Sequence, residues 1–182
     1  MVTRRIHVTG ASGAGVTTLG RALATRFAIP HHDTDDYFWK PTNPPYRDRR
    51  PIHDRLRLMN EIFLDRPAWV LSGALESWGN SLVPYFDLVV FVRTEGNVRM
   101  KRLLHREAKR LGIRREQLLD EAGSDVLSFL KWADNYETGG LSRRSLHRHE
   151  IWLGSLNCPV VKVDGDQPVA RLVTTVEHAL DG

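Results

Sequence analysis

One cysteine, Cys158, stands in 182 residues, so the chain forms no internal disulfide and has no cysteine cluster for zinc. A reducing compartment is the default for such a chain, and a cytoplasmic location is the expectation. Beside Pro159, Cys158 reads as buried filler entering a strand, not as a nucleophile. No apolar run approaches the roughly 20 residues that a membrane-spanning helix needs. Ile6-His7-Val8 runs straight into a glycine-rich loop, without the apolar core of a signal peptide. Neither a membrane nor a leader is therefore expected. Repeats, low-complexity tracts and domain linkers are absent too, so a single domain over residues 1–182 is the reading. Lysine is scarce: of 26 basic side chains only Lys40, Lys101, Lys109, Lys131 and Lys162 are not arginine.

What remains is ordinary for a globular protein, with 41% hydrophobic and 26% charged residues. The net charge is +4, concentrated in the arginine clusters 47–57, 93–115 and 143–148. No aromatic residues interleave with them and acidic residues are mixed in, so no nucleic-acid partner is expected. Each cluster reads as a solvated face or as a clamp for a small phosphorylated ligand, for which the guanidinium fork is well shaped. Apolar runs at Ile6–Thr9, Ile29–His32, Trp69–Ser72, Leu88–Val92 and Val160–Val163 predict strands. Helical patterns fall at Thr17–Ala28, His53–Asp65, Val98–Leu111, Asp125–Tyr136, Arg144–Leu153 and Val169–Leu180. The alternation predicts an α/β domain with a mainly parallel sheet. Lys40 to Pro51, with four prolines, reads as a long functional loop.

Gly10, Gly15 and Thr17 fit the spacing G-x-x-x-x-G-K-[ST] of a phosphate-binding loop, except that Val16 stands where the pattern has Lys. A strand leads in and a helix leads out, which is the context this motif requires. The loop of Gly10, Ser12, Gly13, Ala14, Gly15 and Val16, with the hydroxyls of Thr17 and Thr18, is therefore the candidate nucleotide cradle. Its N–H groups and the helix N-terminus would hold phosphate, and Thr17 would meet a nucleotide-bound Mg2+. Val16 supplies no cation for the terminal phosphates.

Open α/β sheets bind ligands at the carboxyl ends of their strands. After the second strand comes His31-His32-Asp33-Thr34-Asp35-Asp36. In an extended segment Asp33 and Asp35 share a side. One carboxylate would then hold Mg2+ through water, and the other would orient or deprotonate an acceptor hydroxyl. The competing reading is an Asp-rich turn that caps a helix. His31 and His32 point to opposite faces of a strand, one packed and one exposed, which argues against a shared metal. Ser72 ends the third strand where many enzymes with this loop carry an acidic residue; Glu76 either compensates or caps the next helix. Arg99, Arg102, Arg106 and Arg110 form one cationic helix face, a phosphate clamp able to replace the missing Lys or a solvated stripe paired with Glu95 and Glu107. Phe129, Trp132 and Tyr136 read as core, and Trp39 as the aromatic placed to stack on a substrate.

With these residues in place the chain resembles the small P-loop kinases of the adenylate kinase-like, shikimate kinase-like and topology modulation protein-like group. The resemblance rests on the glycine loop, His32 to Trp39, Trp69 to Gly73, Phe86 to Val92 with the arginine helix, and Val163 to Val169. It implies a three-layer fold with a five-stranded parallel sheet in order 2-3-1-4-5, ATP with Mg2+, and phosphoryl transfer to a small-molecule acceptor. It further implies that Thr17 and Asp33 serve the metal, that Asp33 and Asp35 are the acceptor-side carboxylates, that Arg102 and Arg106 are lid arginines, and that Gly165 lies against adenine. Residues 37–66 would bind the acceptor, and about 99–123 would form the lid. Two other readings stay open: a nucleotide-binding regulatory protein without turnover, and an NAD(P)-binding oxidoreductase, for which Asp33 lies ~20 residues beyond the glycine turn. Acceptor identity and oligomeric state are not legible.

Overall fold

Five apolar runs become five strands in the computed structural model, which describes residues 4–181; residues 1–3 and 182 of the expected domain lie outside the described residues. They are β1 (Arg4–Gly10), β2 (His31–Asp33), β3 (Ala68–Ser72), β4 (Leu88–Arg93) and β5 (Val160–Asp164). All pair in parallel, in the order β2-β3-β1-β4-β5. That is the order the resemblance implies. It differs from the 3-2-1-4-5-6 order of dinucleotide-binding folds, so the oxidoreductase reading falls. β2 starts two residues later than expected: Pro30 has no N–H for the ladder, and only its carbonyl is used, accepting from Val70 at 2.9 Å.

The helices are α1 (Val16–Phe27), α2 (Thr34–Phe38), α3 (Ile52–Met59), α4 (Gly96–Leu111), α5 (Leu118–Glu121), α6 (Ser124–Asp134), α7 (Leu146–Gly154) and α8 (Val169–Asp181). The period-2 alternation of the strands divides the core between the two faces of the sheet. Ile6, Val8, Val70, Leu88, Val90 and Val92 face α1 and α8. Trp69, Leu71, Val89 and Phe91 face the opposite layer of α3, the turn after it and α7. In α1, buried Val16, Leu19, Gly20, Leu23 and Ala24 recur at three- and four-residue steps and seat the helix on the sheet. That contact fixes where the helix N-terminus meets the end of β1. A third apolar cluster (Leu103, Ala108, Leu118, Val126, Leu130, Ala133) binds α4, α5 and α6 together. Residues 99–123, the expected lid, are the body of α4, a 3-10 turn and α5.

Three local expectations change. The helix over 53–65 is α3 followed by a π-helical turn, Asn60–Leu64, which turns both Phe63 and Leu64 inward with Met59. Asp33 and Asp35 do not share a side of an extended segment, because Asp33 is the N-cap of α2 and accepts from the Asp35 N–H at 3.1 Å. The loop over 40–51 is pinned, with Lys40 N–H donating to Asp48 O at 2.8 Å and Arg50 N–H to Phe38 O at 2.8 Å. Arg50 Nη1 also donates to the carbonyls of Tyr37 (2.5 Å) and Trp39 (3.1 Å), closing the C-terminus of α2.

Candidate functional site

The glycine loop joins the central strand to α1, and donors from three other parts of the chain hold its carbonyls outward. Arg144 donates to Gly10 O, Arg99 Nη1 donates to Ser12 O at 3.1 Å, and the Thr94 hydroxyl donates to Ala14 O at 3.0 Å. Ala14 N–H closes a turn on Ala11 O at 3.1 Å. Among the described residues no partner takes the N–H groups of Ser12, Gly13, Gly15, Val16 or Thr17. With the carbonyls tied back, those N–H groups gather at the start of α1, where the helix dipole adds partial positive charge. Gly13 and Gly15 have φ of +80° and +98°, the left-handed region that a side chain disfavours, and a Cβ on Gly13 would stand 2.7 Å from Arg99 O.

Thr17 and Asp33 come together: the Thr17 hydroxyl donates to Asp33 Oδ2 at 2.8 Å. Thr18 is exposed beside them. Asp35 is exposed by area, yet partial burial of its carboxyl and the nearby Asp33 charge push its pKa up, against the pull of Arg144 and Arg106. A carboxylate tuned this way is a better proton acceptor than a fully solvated one. Asp36 is raised for the same two reasons.

The other histidines and acids expected here are occupied elsewhere. His31 and His32 are both half-buried, correcting the expectation that one lies exposed. His31 Nε2 hydrogen-bonds Ser72 Oγ at 2.9 Å, while His32 stacks on Phe63 at 4.1 Å and meets the Tyr37 hydroxyl at 3.0 Å. Burial lowers both pKa values. Ser72 lies beneath α1, fully buried, with no exposure to a ligand. Glu76 neither caps a helix nor faces the loop. It is buried against His149 and lies 3.7 Å from Arg144 Nε. Burial alone would raise its pKa, but the His149 hydrogen bond and the Arg144 charge outweigh it and hold Glu76 at about 2. A charged Glu76 only accepts, so His149 carries its proton on Nε2 and its Nδ1 accepts from the Tyr136 hydroxyl at 2.7 Å.

The arginine face of α4 divides. Arg99 is wholly buried and binds Glu137 through two nitrogens, so it is neither solvated nor free for a ligand. Arg102 donates to Gly165 O at 3.1 Å and pairs with Asp166 at 3.3 Å, and its Nη1 lies 3.9 Å from the position a Cβ on Gly15 would take. Gly165 itself is buried against Thr94 and Ala14 O, bracing the loop from below. Arg106 pairs with its neighbour Glu107 at 2.9 Å and stacks on Phe129, as Arg110 pairs with the same Glu107 at 2.7 Å. Arg102 is thus gathered to the loop, whereas Arg106 is held by Glu107 and Phe129.

Around the C-terminus of α2, Phe38, Trp39, Trp78 and Tyr46 form an aromatic cluster. The Arg55 guanidinium lies 3.7 Å from the Phe38 ring centre and 5.1 Å from that of Trp78, and its Nε donates to Arg50 O at 2.7 Å. Arg55 is buried, and among the described residues no carboxylate pairs with it. Burial and the charges of Arg49 and Arg50 lower its pKa. Arg55 and Arg144 lay inside charge clusters visible in the sequence without being singled out; Thr94 carried no signal, because only its long-range contact gives it a role.

No family model matches the chain. Over 175 residues it is 39% identical to the uncharacterized protein YqaC of Bacillus subtilis (strain 168), covering 95% of each. A gluconokinase from Sinorhizobium meliloti 1021 superposes with a TM-score of 0.56 at 21% identity, over 99% of this chain and 93% of its own. A shikimate kinase from Acinetobacter baumannii gives 0.57 at 16% identity, over 97% and 92%. A sugar kinase from Janibacter sp. HTCC2649 gives 0.53 at 18%, over 98% and 95%. At such identities the likeness is one of fold: that of the small P-loop kinases.

Proposed function

The chain belongs to the YqaC family and has the small P-loop kinase fold, and on that premise we propose that it transfers the γ-phosphoryl of ATP to a hydroxyl of an anionic small molecule. The observation that carries this reading is the loop whose carbonyls are tied back so that its N–H groups gather beside the Thr17–Asp33 pair. The donors present suit a magnesium nucleotide: N–H groups for phosphate oxygens, and one hydroxyl and one carboxylate for a hard cation. Thr17 and Asp33 would hold Mg2+, which when bound neutralises charge on the phosphates.

The remaining chemistry belongs to the chain's own residues. The loop from Gly10 to Thr17 positions the phosphates, and α1 adds its dipole. Asp35 takes the proton from the acceptor hydroxyl as it attacks, a role its raised pKa favours. Arg102 bridges the strap at Gly165 and Asp166 to the loop, holding the nucleotide side. Arg55, a buried guanidinium with no acid partner among the described residues, flanked by Arg49 and Arg50, supplies the charge that selects a carboxylate or phosphate on the acceptor. The aromatic faces of Phe38 and Trp78 keep that guanidinium dry, where its attraction for an anion is strongest. Residues 37–66 are on this reading the acceptor-binding segment, and 99–123 the lid.

Val16 favours one second reading. Its side chain joins the apolar core and brings no cation to the phosphates, which suits a protein that binds nucleotide and signals without turnover. ADP release in the presence of ATP, Mg2+ and a panel of phosphorylated and carboxylated alcohols separates the two. The kinase reading expects release that needs an anionic acceptor and falls at least about 100-fold in Asp35→Asn, the lower end of the range for a general base. Tight ATP binding with no release from any acceptor would replace it with the regulatory reading.

A further inference from the structure

The missing loop lysine leaves a question of charge that two contacts to Gly10 answer. The side chain at position 16 reaches over Gly10: Val16 Cγ2 lies 3.1 Å from where a Cβ on Gly10 would stand. Position 16 thus borders Gly10. A guanidinium already occupies this neighbourhood, because Arg144 donates through Nη2 to the Gly10 carbonyl.

We propose that Arg144, reaching the loop from just before α7, supplies the phosphate-binding cation that Val16 does not. The inference rests on the kinase reading and deepens it by assigning the charge at the point of transfer. Arg144 is held for such a task. Ser145, fully buried, caps α7 by accepting from Arg148 N–H at 3.2 Å and donates its hydroxyl to Gly140 O at 3.1 Å. Leu146 N–H is fixed on Tyr136 O at 2.9 Å. Glu76 lies 3.7 Å from Arg144 Nε and is itself bound by His149, which Tyr136 orients. A guanidinium carries five N–H donors; with Nη2 on Gly10 and the Nε edge turned to Glu76, the other edge keeps donors for a phosphoryl oxygen. Glu76 and His149 are positioning residues on this account.

The arginines of α4 fit the role less well. Arg99 is committed to Glu137 and Ser12 O, Arg106 and Arg110 share Glu107, and Arg102 sits at the Gly15 end of the loop, paired with Asp166.

Calorimetric titration of ATP and of ADP, each with Mg2+, into wild type, Arg144→Gln, Arg144→Ala, and Arg144→Ala carrying Val16→Lys tests the proposal without relying on turnover. A charged hydrogen bond to the terminal phosphate predicts that Arg144→Gln and Arg144→Ala weaken ATP by about 10- to 100-fold. ADP should weaken by much less, and Val16→Lys should recover ATP affinity in the Ala background to within about threefold of wild type, because it restores the charge over the same residue. Wild-type ATP affinity in both Arg144 variants overturns the proposal, as do equal losses for ATP and ADP, the signature of a merely structural arginine. Failure of wild type itself to bind ATP would overturn the kinase reading underneath, and so tells the two failures apart.

Discussion

Arg99→Met removes the one wholly buried arginine that ties the glycine loop to α4 and to the segment after α6. Arg99 has a side-chain exposure of 0%, against 27% for its partner Glu137. Removing one member of a buried ion pair costs about 3–5 kcal/mol, since the other charge is left without its partner. Glu137 keeps a second cation, Arg93 at 3.3 Å, and some contact with water, which places this case at the lower end, about 3 kcal/mol. For a chain of 182 residues, each kcal/mol moves Tm by about 2–4 °C, so a fall of about 6–12 °C is expected. Urea unfolding should show the same loss in midpoint at constant slope. The variant also frees Ser12 O, an acceptor that then competes with phosphate oxygens for the loop's inward N–H groups. ATP should accordingly stabilise the variant less than it stabilises wild type at the same concentration. Glu137→Gln, which loses the charge and keeps one accepting oxygen of the two that Arg99 uses, should fall between wild type and Arg99→Met. A loss below about 1 kcal/mol in Arg99→Met, the range of an exposed ion pair, would refute the claim that this contact anchors the loop.

Other substitutions probe other parts of the account. His7, within β1, is fully buried with its pKa lowered to about 4, first by burial, against the opposing effects of Leu71 O and Glu76. The unfolded chain takes up this proton nearer pH 6.5, so stability from His7 is complete above about 6.5 and is lost toward pH 4, by about 3 kcal/mol. Chemical denaturation across that range should show the slope, and His7→Phe should flatten it. Arg55→Met should leave stability within about 1 kcal/mol of wild type or raise it, because it removes a buried charge without an acid partner. The same change should lower kcat/KM for an anionic acceptor by about 10- to 100-fold, and a neutral acceptor analogue should be unaffected. Gly165→Ala places a methyl 2.6 Å from Ala14 O and 2.7 Å from Val92 Cγ1. It should cost about 1–3 kcal/mol and weaken ATP binding, both read from thermal scans with and without nucleotide.

Four strands were legible because each carries a short apolar run, as a sheet covered on both faces requires; β2, His31-His32-Asp33, is polar and was marked only by Ile29 just before it. The strand order followed from the resemblance. The nucleotide end of the site was legible for a local reason: Gly10, Gly15 and Thr17 lie within eight residues, and their spacing alone fixes the loop. The bounds of α2 escaped because Thr34-Asp35-Asp36-Tyr37-Phe38 is too short for helical periodicity, but the competing reading of an Asp-rich turn that caps a helix is the one Asp33 bears out. Arg99 and Arg110 have the same sequence signature, yet one is buried on Glu137, 38 residues away, and the other pairs locally with Glu107. Arg144 lies 134 residues from Gly10, so nothing near it in the chain marks it as a loop residue. Spacing resolves neighbours along the chain; it does not resolve which distant arginine the fold carries to the glycine loop.

Calorimetric titration of ATP into wild type and Thr17→Ala, with and without Mg2+, bears most directly on the central claim. The account predicts ATP binding that Mg2+ strengthens in wild type, and a Thr17→Ala variant that folds normally, binds ATP more weakly and no longer responds to Mg2+. Absence of ATP binding, or a Mg2+ response unchanged by the loss of the Thr17 hydroxyl, would contradict it.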